Sequence, residues 1–219
     1  MLKSDLSLEH VIRESSIRSG KAPLLIMLHG YGSDENDLFS FSSELPEELF
    51  IISLKAPYSL EPFGHAWYAI NFDAQQNKWS NTEQAIKSRD LVAKFIDEAI
   101  EHYPVKKENL TLLGFSQGTV LSYAVAFMYP EKVQNIVALS GYIDKDLLPD
   151  KADVNGYKHL DFYCSHGVED QVIPVDWARR AQPFLNSLNI KNKYSEFPVG
   201  HGVAPQNFYE FKEWLKNRL

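Results

Sequence analysis

The sequence predicts an open, doubly wound α/β fold built on a mostly parallel central sheet. Short apolar runs alternate along the chain with longer stretches of helical periodicity, as strands and crossover helices do in such folds. Most of the apolar runs are too continuous for strands with one solvated face, so helices are expected on both faces of the sheet. No internal repeat or break in composition divides the 219 residues, and a single domain over residues 1–219 is expected.

Six apolar runs are the predicted strands, and five patterned stretches are the predicted helices. Residues 83–103 place apolar side chains such as Val92 and Phe95 at helical spacing, with charges such as Glu101 opposite, which predicts an amphipathic cover helix. Residues 116–129 are apolar almost all round, which predicts a helix buried beside the sheet. The strands cover residues 23–30, 50–57, 109–115, 135–141, 160–167 and 193–198, and the other helices residues 34–44, 175–188 and 205–218.

The stretch from Pro57 to Ser80 is rich in aromatic residues, Pro and Asn, and it fits neither pattern. Loops of this length without regular structure are often functional. Its aromatic side chains are expected either to pack a core of the loop itself or to form a wall for an apolar ligand, and the residues alone favour neither. These side chains are Phe63, Trp67, Tyr68 and Phe72.

Composition and charge exclude several classes of function. With a formal net charge of -7 and no cluster of Lys and Arg, the chain is not expected to bind nucleic acid. No run approaches the roughly 18 apolar residues of a membrane span, and neither a transmembrane segment nor a signal peptide is predicted. The single cysteine, Cys164, lies in a predicted strand and is interpreted as a core residue. It cannot form an internal disulfide, which favours a reducing compartment, the cytoplasm.

The sequence GFSQG places Ser116 between two glycines, where a predicted strand meets a predicted helix. A sharp turn at this point projects a serine hydroxyl clear of the sheet, and small residues two positions before and after relieve the crowding. Gly114 and Gly118 occupy those positions. The helix behind Ser116 also aims backbone N–H groups at any negative charge that develops nearby. Ser116 is therefore a candidate nucleophile.

A nucleophilic serine on this type of turn needs a base that follows it in the chain. His159 stands among charged residues before a strand, where a solvated surface role is expected. His166 ends a strand and is interpreted as a residue that shapes a loop. His201 is flanked by glycines in a loop between the last strand and the last helix, which is where α/β enzymes place their chemistry. His201 is therefore the candidate base.

An orienting carboxylate is expected between the serine and the histidine in the chain. The sequence SHGVEDQVIP offers Glu169 and Asp170, and either carboxylate can orient an imidazole. Position favours Asp170, because a helix that starts after Pro174 would fix its loop, whereas Glu169 is expected to face solvent. Asp161 and Asp176 are interpreted as charges at a strand edge and in a helix first turn.

These motifs, in this order, resemble the phospholipase/carboxylesterase family of α/β-hydrolases, which includes acyl-protein thioesterases and bacterial carboxylesterases. The resemblance extends from about Ala22 to the C-terminus. Four motifs carry it: LHGYG at 28–32, GFSQG at 114–118, HGVEDQVIP at 166–174 and GHG at 200–202.

Carried over to this chain, the resemblance implies the α/β-hydrolase fold with Ser116 as nucleophile, Asp170 as orienting acid and His201 as base. It also implies an oxyanion hole formed by the backbone N–H groups of Tyr31 and Gln117, which agrees with the position of Gln117 at the start of the nucleophile helix. His29, in the first motif, is interpreted as a buried histidine that holds its loop.

The resemblance also directs attention to the substrate pocket. It favours Trp67 as part of a wall for the acyl group, and Phe63 and Val172 are further candidate substrate-binding residues. The chain departs from the family pattern at Thr119 and at WYA, residues 67–69, so no preference for chain length carries over.

The predicted function is hydrolysis of short- to medium-chain carboxylic esters through an acyl-enzyme. Acyl-protein thioesterase or lysophospholipase activity at the same site is the first alternative, and a non-catalytic ligand-binding role is the second. A peptidase or a dienelactone hydrolase on the same fold is a further alternative, although the latter would favour a cysteine nucleophile. No metal and no organic cofactor are expected. The expected partner is a small acyl ester or thioester, and association as a homodimer is left open.

Overall fold

The computed structural model describes residues 1–72 and 78–219, and its centre is a seven-stranded sheet with two small hairpins beside it. The hairpins, β4 with β5 and β6 with β7, are both antiparallel and both lie in the segment between the third sheet strand and the first helix. The strands are β1 His10–Arg13, β2 Ala22–Leu28, β3 Phe50–Leu54, β4 Tyr58–Ser59, β5 His65–Ala66, β6 Ile70–Phe72, β7 Lys78–Ser80, β8 Val105–Phe115, β9 Asn135–Leu139, β10 Asp161–Gly167 and β11 Lys191–Phe197.

The described residues also form α-helices and short 3₁₀ helices. The longest helix begins after Asn81, whose side chain accepts a hydrogen bond from the N–H of Gln84 at 3.0 Å and so caps it. The α-helices are α1 Thr82–His102, α2 Gln117–Met128, α3 Val175–Ala178, α4 Ala181–Ser187 and α5 Pro205–Lys216, and the 3₁₀ helices are Leu38–Ser43, Pro130–Lys132 and Lys145–Leu147. None of the helices in the described ranges is both long and apolar enough to cross a membrane.

The strand order of the main sheet determines where the loops meet. The order is β1-β3-β2-β8-β9-β10-β11, in which β1 is antiparallel and the other strands are parallel. The chain moves outward from β2 to β3 on one side and from β8 to β11 on the other, so the order reverses between β2 and β8. In an open α/β sheet, the carboxyl ends of the strands at such a reversal border the ligand-binding crevice.

Two apolar layers cover the parallel sheet. One face packs against α1, α2 and α4, with side chains such as Phe95, Leu121 and Leu185 almost completely buried. The other face packs against α5 and the first 3₁₀ helix through Phe211 and Leu38. The strands β2, β3, β9 and β10 are buried along their whole length, because both faces are covered.

All six predicted strands are present, and the predicted doubly wound fold is confirmed. The helix predicted at 34–44 is only the 3₁₀ helix Leu38–Ser43. The helix predicted at 175–188 is divided into α3 and α4, because Pro183 has no N–H to donate to the carbonyl of Arg179. The edge strand β1 was not predicted, since its four residues, HVIR, carry little apolar signal.

The stretch from Pro57 to Ser80 was predicted as a loop without regular structure, and it contains both small hairpins instead. Residues 73–77 of this stretch, and the side chain of Phe72, lie outside the described part of the structure.

Candidate active site

The turn between β8 and α2 holds Ser116 in a backbone conformation that side-chain-bearing residues rarely adopt. Its φ is 54° and its ψ is −116°, and its N–H donates to the carbonyl of Leu139 at 3.0 Å. A Cβ on Gly114 would lie 2.5 Å from the carbonyl oxygen of Gly118, and a Cβ on Gly118 would lie 2.0 Å from that of Leu28. The turn can therefore close only with glycine at both positions.

Replacing Gly118 by alanine should lower the free energy of unfolding by about 3 kcal/mol, because the new methyl group overlaps the backbone of β2. Urea denaturation would measure the loss. Gly202→Ala is the matched control, since a Cβ there meets no atom within 4 Å. Equal stabilities of the two variants would show that the turn tolerates a side chain at position 118.

The structure brings together the side chains of Ser116, His201 and Asp170, which come from three separate loops at one edge of the sheet. The Oγ of Ser116 lies 2.9 Å from Nε2 of His201, and Nδ1 of His201 lies 2.7 Å from Oδ2 of Asp170. The ring of Phe115 packs against the imidazole with centroids 4.9 Å apart. With the proton of His201 on Nδ1, Nε2 is free to accept the serine proton, as a general base must.

The carboxylate of Asp170 is held on both of its oxygens. Its Oδ1 accepts the backbone N–H groups of Val172 at 2.8 Å and Ile173 at 2.9 Å, and its side chain has no exposed surface. Burial alone would raise the pKa of Asp170, but the hydrogen bonds from His201 and from these two N–H groups outweigh it and lower the pKa. The adjacent Glu169 is exposed, as expected for the alternative carboxylate.

Two backbone N–H groups belong to segments beside Ser116, since a Cβ on Gly30, the residue before Tyr31, would lie 3.4 Å from the Cβ of Ser116. Gln117 opens α2 directly after the serine, and Tyr31 follows β2, the neighbouring strand. In the part of the chain that the structure describes, neither N–H has an acceptor. Free N–H groups at such positions are what an oxyanion hole requires. The assignment of Tyr31 and Gln117 to this role stays a prediction.

The side chain of Gln117 has a second role that the sequence did not reveal. Its Oε1 accepts the N–H of Trp67 at 2.8 Å, and its Nε2 donates to the carbonyl of Tyr68 at 2.7 Å. The same segment is held from the other side by Gln84, whose Oε1 accepts the N–H of Ala69 at 2.7 Å. Gln117 therefore fastens the aromatic segment to the residue that follows the serine.

His29 supports the loop after β2. Its Nδ1 lies 2.7 Å from the carbonyl oxygen of Gly30, and its Nε2 accepts the N–H of Ala56 at 3.1 Å. Both contacts are satisfied by the tautomer with its proton on Nδ1. Burial lowers the pKa of His29. The side chain is fully buried, which agrees with the structural role predicted for it.

The candidate substrate-binding residues have different surroundings. Phe63 is 85% exposed and Val172 is 55% exposed, so both can contact a ligand. Trp67 is 0% exposed, so, contrary to expectation, its ring presents no wall to an acyl group in this structure. Its Nε1 donates to the carbonyl of His29 at 2.9 Å, and its ring lies 5.6 Å from the His29 ring. A buried indole N–H needs such a partner, so Trp67 packs as a core residue against His29.

The remaining candidates have contacts or positions outside the Ser116–His201–Asp170 series. His159 is exposed and contacts the carbonyl oxygen of Pro130 at 2.8 Å. Asp161, at the start of β10, pairs with Arg218 at 2.7 Å, and Asp176 lies in the first turn of α3.

Cys164 is inside β10, where burial raises the pKa of its thiol to about 12, so it cannot supply a thiolate nucleophile. No three His, Cys, Asp or Glu side chains are grouped as a metal site within residues 1–72 and 78–219.

Comparison with known proteins places the chain among enzymes of one family. The family model described as Phospholipase/Carboxylesterase matches residues 11–219. The chain is 31% identical to acyl-protein thioesterase 1 of Kluyveromyces lactis over 159 residues, which are 70% of this chain and 69% of that protein. It is 26% identical to a probable carboxylesterase SOBER1-like of Arabidopsis thaliana over 116 residues, 52% of this chain. The match spans less than half, 44%, of that plant protein.

Solved structures agree on the fold. A crystal structure of a carboxylesterase from Mesorhizobium loti superimposes with a TM-score of 0.83 at 18% identity and covers 99% of this chain and 98% of that one. At this level of identity the likeness is one of fold alone. Taken with the family match over nearly the whole sequence, it shows that the chain belongs to the phospholipase/carboxylesterase family of hydrolases and has the α/β-hydrolase fold.

Proposed function

We propose that this protein hydrolyses short- to medium-chain carboxylic acyl esters with Ser116 as the nucleophile. The observation that carries the proposal is the hydrogen-bonded series from Asp170 through His201 to Ser116, with distances of 2.7 and 2.9 Å. A buried carboxylate, an imidazole and a serine hydroxyl in this order are the components of nucleophilic acyl transfer.

The proposed reaction begins when His201 removes the proton of Ser116 as Oγ attacks the acyl carbonyl. The N–H groups of Tyr31 and Gln117 then donate to the oxyanion of the tetrahedral intermediate. His201 returns the proton to the leaving alcohol or thiol, and the acyl group remains on Oγ. Water, deprotonated by the same imidazole, releases the acid and restores the serine. No step requires a metal or an organic cofactor.

The imidazole becomes positively charged in both halves of this reaction, and Asp170 is placed to stabilise that charge. Its carboxylate has no exposed side-chain surface, and at 2.7 Å from Nδ1 it holds the imidazole in one tautomer. Because its own pKa is lowered, Asp170 stays ionised under neutral conditions. The negative charge is therefore present whenever His201 accepts a proton.

The leaving group of the proposed reaction is an alcohol or a thiol. Relatives include a protein named acyl-protein thioesterase 1 and a protein named probable carboxylesterase, and the same groups can expel an alcohol or a thiolate. Exposed Phe63 and Val172 offer apolar surface to an acyl chain of modest length. We propose the ester as the principal substrate class, with thioester or lysophospholipid cleavage as the alternative.

The test is kcat/KM on a series of acyl esters from acetyl to dodecanoyl, each measured beside its matched thioester, with Ser116→Ala as the blank. We expect turnover that depends on Ser116, with an optimum at short or medium chains and with esters preferred. A preference for thioesters would support the alternative. Activity equal to the blank on every substrate would contradict the proposal and favour a ligand-binding role.

A further inference from the structure

A second imidazole contacts the carboxylate that orients His201. Nε2 of His166 lies 3.2 Å from Oδ2 of Asp170, the same oxygen that accepts Nδ1 of His201 at 2.7 Å. His166 stands near the end of β10, four residues before the aspartate, and neither side chain has exposed surface. The proposed mechanism does not use this histidine.

The hydrogen bonds of His166 identify the nitrogen that carries its proton. Nε2 also lies 2.9 Å from the carbonyl oxygen of Ile173, which can only accept, so Nε2 must donate. The other nitrogen, Nδ1, is buried and has no hydrogen-bond partner within the described ranges. A proton on Nδ1 would therefore lack an acceptor. The tautomer with its proton on Nε2 donates this N–H to Ile173 and leaves the same nitrogen in contact with Oδ2 of Asp170 at 3.2 Å.

Both oxygens of Asp170 have polar neighbours. Two backbone N–H groups, from Val172 and Ile173, hold Oδ1, His201 is hydrogen-bonded to Oδ2, and Nε2 of His166 contacts the same Oδ2 at 3.2 Å. The backbone bonds fix one end of the carboxylate, but they leave the direction of Oδ2 to its own partners. His166 is the partner that is fixed by a strand, since His201 lies on the loop before α5.

The charged groups around His166 come from three parts of the chain. Asp170 is on its own loop, His201 lies across that carboxylate, and Glu196 is its partner in register on β11. Glu196 is joined to Arg179 by contacts of 2.7 and 2.9 Å. On the other side of β10, the last residue of β9 is the uncharged Leu139, which lies opposite Ser165.

We propose that His166 is a positioning residue, which holds Oδ2 of Asp170 in the direction that His201 requires. The proposal rests on the function proposed above, because it assigns a role in the same reaction. A rotation of the carboxylate would tilt the imidazole away from Ser116, and misplacement of a reacting group by about 1 Å costs roughly 10²-fold in rate. His166 would thus affect the chemical step and leave substrate binding unchanged.

The test compares His166→Leu with His166→Gln. Leucine has no donor, whereas the amide nitrogen of glutamine can reach the position of Nε2 and donate to Asp170 and Ile173. We expect His166→Leu to lose roughly 10- to 100-fold in kcat with KM unchanged, and His166→Gln to recover most of the loss. His159→Leu is the control, because this exposed histidine precedes β10 and contacts Pro130, before β9, whereas Ser116 follows the other end of its own strand. The active fraction of each variant is first counted by labelling Ser116 with a phosphonate.

The pH profile separates positioning from simple loss of packing. In His166→Leu, His201 is the one imidazole left beside Oδ2, so the negative charge of the carboxylate stabilises the protonated form of His201 more strongly. We therefore expect the acid limb of the kcat/KM profile to move to higher pH, since activity is then lost earlier as the pH falls. In His166→Gln the limb should return toward its original position.

Two results would overturn the positioning role. The first is full kcat in His166→Leu. The second is equal loss of kcat in both variants with an unchanged pH profile, which would indicate packing alone. If His166→Leu does not fold, His166→Asn replaces it, because the shorter amide of asparagine cannot reach Oδ2. Equal kcat values and equal acid limbs in His166→Gln and His166→Asn would then overturn the positioning role. An unmodified protein without activity, or unlabelled by the phosphonate, would instead contradict the proposed function.

Discussion

Substitution of Ser116 by alanine should lower kcat/KM by roughly 10³-fold or more while the protein remains folded. The hydroxyl oxygen is the attacking atom of the proposed reaction, and the 2.9 Å contact with Nε2 of His201 is the interaction that activates it. Alanine keeps the Cβ and the same backbone, so the positive φ of 54° is no more strained than before. Kinetics on the preferred ester, with the melting temperature of each protein, would measure both parts of this expectation.

Ser122→Ala is the matched control for this substitution. Ser122 lies further along α2 and is buried, and its hydroxyl donates to the carbonyl of Gly118 at 2.8 Å within the same helix. We expect it to retain nearly all of the activity. If Ser116→Ala kept near-normal turnover, the nucleophile would be another group.

Substitution of Asp170 by asparagine should lower kcat by about 10⁴-fold, which is the size of effect seen when the same change is made in a serine protease triad. The amide can still accept the two backbone N–H groups on Oδ1, so the loop is expected to keep its conformation. Its NH₂ group, however, would donate to Nδ1 of His201 and move the imidazole proton to Nε2. That tautomer cannot accept the proton of Ser116.

Glu169→Gln provides the control for the loss of a negative charge, because Glu169 is the adjacent carboxylate and is exposed. It should leave kcat within about twofold, as expected for a screened surface charge. Steady-state kinetics over the neutral pH range would compare the two variants. A large loss in Glu169→Gln together with a small one in Asp170→Asn would show that the acid had been assigned to the wrong residue.

Much of the architecture could be predicted because it depends on local patterns. The buried strands are continuous apolar runs, and the turn at Ser116 is marked by the two glycines that its geometry requires. The positions of Asp170 and His201 after their strands follow from the same logic, since parallel strands present their carboxyl ends at one edge.

The parts that could not be predicted depend on partners distant in sequence. Trp67 resembled a binding residue, yet its indole is buried because His29, 38 residues earlier, accepts its N–H. The side chain of Gln117 bonds to Tyr68 and Trp67, which lie 49 and 50 positions away in the sequence. No local sequence pattern predicts such pairs. The contact of His166 with Asp170 is closer in sequence, but the strand end and the loop must fold before the two side chains meet.

The two functions of Gln117 have a consequence for redesign of the substrate range. Its backbone N–H belongs to the proposed oxyanion hole, while its amide group sets the path of the main chain at Trp67 and Tyr68. An engineer who wishes to admit larger acids can vary side chains that project freely, such as Phe63. Insertions or deletions that shift the main chain at 67–68 would pull on Gln117 and so disturb catalysis for every substrate. Substitution of Phe63 can therefore change substrate selectivity alone. Changes to the main chain at residues 67–68 are expected to alter selectivity and catalytic rate together.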